Sequence, residues 1–68
     1  MKEYQDGEVV WLFIDGIGDV ETTYRKSINQ FVAINEDGTE WDAGTPEYWE
    51  NPPHGMNRIL TGPPDYTI

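Results

Sequence analysis

The stretch FVAINEDGTEWDAG, residues 31–44, decides the fold. Its Asp37-Gly38 pair separates two runs of β-forming residues. An Asp-Gly pair is a preferred two-residue turn of a β-hairpin, because both central residues of that turn need a positive φ. With this turn, Ile34 lies opposite Trp41 and the two form an apolar cross-strand pair. The stretch therefore predicts a hairpin with Trp41 facing inward.

The carboxylates of this hairpin belong to its other face. Glu40 and Asp42 flank Trp41 in the sequence, and successive side chains of a strand point to opposite faces. Two steps along a strand separate them by about 6.8 Å. We therefore expect both carboxylates in solvent.

Two further strands are predicted before the hairpin. The run EVVWLFID, residues 8–15, is apolar and too short for an ordinary helix, so we expect a central strand buried on both faces. The run VETTYRK, residues 20–26, alternates and places Val20, Thr22 and Tyr24 on one face, which predicts the next strand. The glycine-bearing segment DGIGD between the two runs supplies the connecting loop.

A short helix is predicted after the hairpin. In TPEYWEN, residues 45–51, Thr45 is suited to the N-cap and Pro46 to the first helical position. The proline pair that follows ends this helix after about one turn. Residues 56–60, MNRIL, return as a short edge strand, and the proline-rich tail, about residues 61–68, finishes extended.

These elements predict a single, mostly β domain over residues 1–68. Four or five short strands with one helical turn form either a small antiparallel meander or an SH3-like barrel. A chain of this length buries only about 60% of its unfolded surface, so the core is one thin layer. The chain has no Cys, which leaves large aromatic side chains to supply most of that core.

The charge balance separates the functional classes. Thirteen acidic residues against four basic ones give a formal net charge of −9 at pH 7. Such a chain repels phosphates, so neither direct nucleic-acid binding nor binding to an anionic membrane is expected. The apolar run VVWLFI is too short to span a bilayer, and the opening residues lack the order of a signal peptide. We expect a soluble protein of the cytoplasm of whatever cell makes it, whose acidity serves either solubility or a basic partner.

A candidate partner surface lies in the second half of the chain. Between Lys26 and Arg58 there is no Lys or Arg, so we expect this half to carry unneutralised negative charge. The core has no evident need of the short helix, so Tyr48 and Trp49 are candidate aromatic anchors for a partner if they are exposed; the alternative is that one of them covers the open end of the core. Carboxylates can occupy the positions of phosphates in a basic groove. The candidate partner-binding residues are Glu36, Asp37, Glu40, Asp42, Glu47, Tyr48, Trp49 and Glu50.

Catalytic and metal chemistry find little support in the sequence. His54 is the single histidine and stands in a turn-forming PPHG segment, without an evident nucleophile or orienting partner. Residues 35–42 resemble part of a calcium-binding loop, but its first and twelfth positions would be Ala33 and Gly44 rather than acidic residues. We expect no catalytic residue, no metal site and no cofactor.

One family resemblance accompanies these patterns. Asp6-Gly7, Trp11, Pro46 and Trp49, within residues 5–53, follow an order similar to that of small uncharacterised domains encoded by bacteriophages and prophages. Those domains carry a P-T-H-W segment, whereas this chain has Glu and Tyr in place of Thr and His. The resemblance implies a phage origin and no particular activity.

The prediction from the sequence is a non-enzymatic acidic protein of phage type. It would bind and inhibit a host protein that has a basic nucleic-acid-binding surface, such as a CRISPR effector, a restriction enzyme or RNA polymerase. The alternative is a phage structural or assembly protein that self-associates as a homo-oligomer. The first alternative predicts salt-sensitive binding between different proteins, and the second predicts exposed apolar patches.

Overall fold

The computed structural model describes residues 2–52 and 55–63. His54 and the end of the predicted tail, residues 64–68, lie outside these ranges. The elements are β1 (Val9–Ile14), β2 (Gly18–Arg25), β3 (Gln30–Ile34), β4 (Glu40–Gly44), α1 (Pro46–Glu50) and β5 (Arg58–Ile59).

The five strands form one antiparallel sheet in the order β4-β3-β2-β1-β5. The first four strands make a meander, and β5 returns to pair with β1. The predicted mostly β meander with one helical turn is therefore confirmed. The SH3-like barrel is not confirmed, because β4 and β5 stand at two separate edges of the sheet within the described residues.

The core lies on one side of the sheet, which we call the inner face. Its buried apolar cluster consists of Val10, Leu12, Tyr24, Phe31 and Trp49. The rings of Tyr24 and Phe31 meet edge to face with their centroids 5.7 Å apart. Large aromatic side chains thus supply most of this core, as the composition predicts.

The prediction that β1 is buried on both faces is wrong. Val10 and Leu12 face inward and are buried, but Val9 on the other side is 55% exposed. Trp11 and Phe13, which share that side, are only half-buried. The reason is that α1 packs on the inner face alone, so the opposite side, here called the outer face, meets solvent as in many antiparallel sheets.

The loop between β3 and β4 differs from the predicted two-residue turn. The backbone N–H of Asn35 donates to the carbonyl of Thr39 at 2.8 Å, so three residues form the loop. Gly38 takes the left-handed conformation there, with φ +88°. The Oδ1 atom of Asp37 accepts hydrogen bonds from the N–H and the hydroxyl of Thr39 at 3.0 and 2.6 Å. These bonds stabilise the longer loop.

The extra loop residue shifts the register of the hairpin by one position. Ala33 lies opposite Trp41, and Ile34 lies opposite Glu40. The predicted Ile34–Trp41 pair is therefore wrong, since a one-residue slip moves a side chain to the other face. Ile34 lies on the outer face and is 63% exposed. Asp42 keeps its predicted place beside Glu40 on that face.

The helix α1 begins and ends as predicted. The hydroxyl of Thr45 accepts a hydrogen bond from the N–H of Tyr48 at 3.2 Å, and Pro46 occupies the first turn. The helix ends at Glu50, and the C-cap Asn51 separates it from Pro52. Within residues 2–52 and 55–63, no helix is long and apolar enough to cross a membrane.

Candidate partner-binding surface

The outer face of the sheet carries an acidic patch, which consists of Asp19, Glu21, Ile34, Glu40 and Asp42. Paired residues of an antiparallel sheet point to the same face. The register places Asp19 and Glu21 with the outward residues of β1, and Glu40 with Ile34. The acidic side chains of β2 and β4 therefore share one surface, with β3 between them.

Ile34 is the apolar centre of this patch. It lies opposite Glu40 on β4, and the pairing of β2 with β3 brings Glu21 to its other side. Neighbouring strands are about 4.8 Å apart, so the main chains at Glu21 and Glu40 are separated by roughly 10 Å. A cavity of about 450 Å³ runs along these strands and includes Asp19, Glu21 and Ile34 in its lining. An exposed aliphatic side chain flanked by carboxylates suits the stem and charged head of a Lys or Arg.

The carboxylate of Glu40 in this patch forms an ion pair within the molecule. The guanidinium of Arg25 donates to both oxygens of Glu40, with Nη1–Oε1 at 3.0 Å and Nη2–Oε2 at 2.8 Å. These hydrogen bonds and the adjacent charge lower the pKa of Glu40 and raise that of Arg25. Arg25 stands on β2 and Glu40 on β4, so the pair crosses the outer surface of β3, where Val32 is only 3% exposed. The predicted unneutralised charge is therefore wrong for Glu40.

The two acidic residues of the β3–β4 loop differ in role. The hydrogen bonds from the hydroxyl and N–H of Thr39 lower the pKa of Asp37. Asp37 therefore serves the loop conformation. Glu36 is exposed and lines the same cavity as Ile34, which brings its carboxylate to the border of the acidic patch.

The candidates on the helix do not join the patch. Because α1 packs on the inner face, Glu47, Tyr48 and Glu50 are on the opposite side of the sheet from Ile34. Tyr48 is 39% exposed. The carboxylate of Glu47 accepts a hydrogen bond of 3.4 Å from the side chain of Asn29. The sequence candidates therefore divide between two surfaces.

Trp49 is a core residue, and its predicted role as a partner anchor is wrong. Its side chain is 4% exposed and packs with Leu12 and Phe31. Its indole Nε1–H donates to the carbonyl of Ala43 at 2.8 Å. The expectation that the core does not need the helix is also wrong, because Trp49 of α1 covers the inner face of the sheet.

Two of the four basic side chains, Lys2 and Lys26, lie on the inner side, whereas Arg25 and Arg58 lie on the outer face. The ammonium of Lys2 pairs with Glu8 at 3.1 Å. Lys2 and Lys26 line a cleft of about 370 Å³ on the inner side. The guanidinium of Arg58 lies over the Phe13 ring at 4.7 Å, near the β5 edge. Positive and negative charge therefore occur on both faces of the sheet.

Three members of the patch were not among the sequence candidates. Asp19 and Glu21 precede the base-free segment between Lys26 and Arg58, and the sequence pattern predicts Ile34 in the core. The alternation of residues 20–26 already places Glu21 on the face of the strand opposite to the face that carries Tyr24. That signal identifies an outward carboxylate, but only the strand order brings it next to β3.

Comparisons of the chain with protein-family models, with curated proteins and with solved structures gave no match. Among residues 2–52 and 55–63, no three His, Cys, Asp or Glu side chains lie together in a way that could hold a metal ion. The chemistry that the arrangement of the patch supports is the binding of a cationic group.

Proposed function

We propose that this protein is a non-enzymatic binding module whose acidic patch engages a cationic surface of a partner protein. The observation that carries this proposal is Ile34, an exposed aliphatic side chain between Glu21 on β2 and Glu40 on β4. A carboxylate surface alone also serves solubility. An isoleucine exposed at its centre does not, because it adds apolar area where water must be ordered.

The ion pair between Arg25 and Glu40 supports the proposal that the partner presents Arg or Lys side chains to the patch. Arg25 places its guanidinium on both oxygens of Glu40 in a bidentate arrangement. Arg is well suited to such pairs because its donors form a planar fork. A partner's Arg or Lys can exchange with Arg25 and lay its aliphatic stem on Ile34.

The partner class follows from the same chemistry. Proteins that bind nucleic acid present arrays of Arg and Lys to phosphates, and a carboxylate array can occupy that surface in place of phosphates. The proposed biological role is inhibition of such a host protein, in keeping with the phage-type resemblance of the sequence. With a net charge of −9, long-range attraction would also speed the encounter at low salt.

The test uses two charge-matched double variants. Glu21→Gln/Asp42→Asn removes two carboxylates from the patch, and Glu3→Gln/Glu50→Gln removes two exposed carboxylates from elsewhere. The probe is a synthetic peptide rich in Lys and Arg, and its affinity is measured by calorimetry over a series of salt concentrations. We expect the patch variant to bind about tenfold more weakly, and the control to bind within about twofold of the parent. Equal losses in both variants would mean that net charge, and not the patch, governs binding.

Self-association is the second candidate, and one observation favours it. Val9 is 55% exposed and lies beside the half-buried Trp11 and Phe13 on the outer face of β1. Exposed apolar side chains in a row are typical of surfaces that bind another protein. Light scattering after size-exclusion chromatography would reveal a dimer whose stability does not decrease with salt, whereas the favoured function predicts a monomer.

A further inference from the structure

The strand β4 is an edge strand with a defined hydrogen-bonding pattern. Asn35 and Thr39 form a hydrogen-bonded pair, since the N–H of Asn35 donates to the carbonyl of Thr39. Such pairs alternate with non-hydrogen-bonded pairs along an antiparallel ladder. The Ala33–Trp41 pair is therefore hydrogen-bonded. The main-chain N–H and C=O groups of Glu40 and Asp42 point away from β3.

These outward groups form the open edge of the sheet. No residue within 2–52 and 55–63 makes a hydrogen bond to the main chain of Glu40 or Asp42 at that edge. An open edge of this kind is a template for pairing with another strand. The side chains of Glu40 and Asp42 stand directly beside it, on the outer face.

The charges on the edge select among the possible occupants. If a second copy paired with β4 in antiparallel fashion with Asp42 opposite Asp42, the two Asp42 carboxylates would meet, whereas Glu40 is already paired with Arg25. Like charges that lie directly opposite each other destabilise a strand pair. A strand with Lys or Arg at every second position would instead place a positive charge beside each carboxylate.

We infer that an extended basic segment of a partner protein adds to the edge of β4 as a sixth strand. This inference rests on the proposed function and names its binding mode. The partner residues opposite Glu40 and Asp42 lie on the outer face and are Lys or Arg. The residue between them lies on the inner face beside the half-buried Trp41, and an apolar side chain fits that position. The recognised pattern is basic–apolar–basic.

The first experiment follows amide hydrogen exchange by NMR in the unmodified protein. The probe is a peptide of alternating Arg and Val, and a peptide of the same composition with its Arg residues in one block is the control. We expect the alternating peptide to slow the exchange of the Glu40 and Asp42 amides at least tenfold. The amide of Trp41, which already bonds to β3, serves as the internal reference. Unchanged exchange at Glu40 and Asp42 in the saturated complex would overturn strand addition.

A pair of substitutions separates strand addition from charge attraction. Asp42→Asn removes the charge and keeps the N–H, whereas Asp42→Pro removes both, and proline is tolerated on an edge strand where the N–H faces solvent. We expect the proline variant to bind the alternating peptide at least tenfold more weakly than the asparagine variant. Equal affinities would refute strand addition and leave the acidic patch as a binding surface. If Asp42→Pro does not fold, the exchange experiment on the unmodified protein decides.

The failure of the proposed function has a different signature. Either neither peptide binds at low salt, or both peptides bind Glu21→Gln/Asp42→Asn as tightly as they bind the parent. A dimer in the absence of peptide, with protected Glu40 and Asp42 amides, would assign the β4 edge to a second copy and overturn the basic partner.

Discussion

Replacing Trp49 by Ala tests the assignment of this residue to the core. The side chain is 4% exposed and contacts the buried cluster of the inner face. Truncation of a buried Trp to Ala costs about 3–5 kcal/mol, from the lost transfer free energy and the cavity that remains. A domain of 68 residues has an unfolding free energy of about 3–10 kcal/mol. The Trp49→Ala variant should therefore lose a large part of its unfolding free energy, and all of it if the parent lies at the lower end of that range.

Replacing Trp49 by Phe separates packing from hydrogen bonding. Phe keeps most of the apolar volume but lacks the indole N–H, so the carbonyl of Ala43 loses a donor that is 2.8 Å away. The loss of one partner from such a bond costs about 1–3 kcal/mol. We expect Trp49→Phe to remain folded with a clearly lower free energy of unfolding.

Urea denaturation followed by circular dichroism measures both variants. The control is Tyr48→Ala, which truncates the neighbouring aromatic residue, 39% exposed, on the same helix. It removes an edge-to-face contact with Trp49 at 5.6 Å and should cost about 1 kcal/mol. If Trp49→Ala cost no more than Tyr48→Ala, Trp49 would not close the core, and its role as a partner anchor would have to be reconsidered.

Three more predictions test the hairpin and the patch. Gly44→Ala should lower the free energy of unfolding, measured in urea, by about 1–3 kcal/mol, because φ is +124° and the new Cβ would lie 3.0 Å from the indole nitrogen of Trp49. The control Gly38→Ala should cost less, since φ is +88° there and no atom lies within 4 Å of the new Cβ. A larger loss for Gly38→Ala than for Gly44→Ala would contradict the close contact at Gly44. Arg25→Gln should raise the affinity for the Lys- and Arg-rich peptide by roughly two- to fivefold in calorimetry, because it frees Glu40; an unchanged affinity would mean that the ion pair does not compete with the partner. The pKa of Asp37 is lower in the folded protein than its ordinary value of 3.8, so its contribution to stability is present above 3.8 and is lost as the pH falls through the folded pKa. The difference in melting temperature between the parent and Asp37→Asn should therefore narrow as the pH falls below 3.8, and a difference that did not change with pH in this acidic range would contradict this.

The elements of the fold that depend on local chemistry could be predicted from the sequence. The helix start follows from Thr45 and Pro46, whose hydroxyl acceptor and restricted φ act within one turn. The strand β2 follows from the alternation of residues 20–26. In both cases the information lies within a few neighbouring residues.

The hairpin register could not be predicted from the same information. Asp37-Gly38 suits a two-residue turn and also the end of a three-residue loop. The choice depends on the two hydrogen bonds that Asp37 accepts from Thr39, and the propensities of the turn residues do not distinguish these loops. A shift of one residue then moved Ile34 from the expected core to the outer surface.

The candidate site was only partly predictable, because the order of charges along the chain differs from their arrangement on the folded sheet. Arg25 precedes the acidic segment in the sequence, yet the order of the strands brings it across β3 to Glu40. Glu21 joins the patch by the same route. The base-free segment between Lys26 and Arg58 therefore contains a carboxylate that is neutralised by Arg25. The acidic patch in turn contains Asp19 and Glu21, which lie outside that segment.

The positions of the apolar and acidic side chains bear on the choice between solubility and binding. If acidity served solubility alone, the side chains around Glu40 would gain most from full hydration, and a polar residue at position 34 would serve better than Ile34, which is 63% exposed. An isolated chain with an open edge strand also gains from the carboxylates of Glu40 and Asp42, since they repel a second copy. That protection does not require the Ile. The outward main-chain groups and the carboxylates of β4 are accounted for by a single occupant, a basic strand whose charges displace Arg25 from Glu40, while Ile34 on the next strand, β3, adds apolar area to the same outer face.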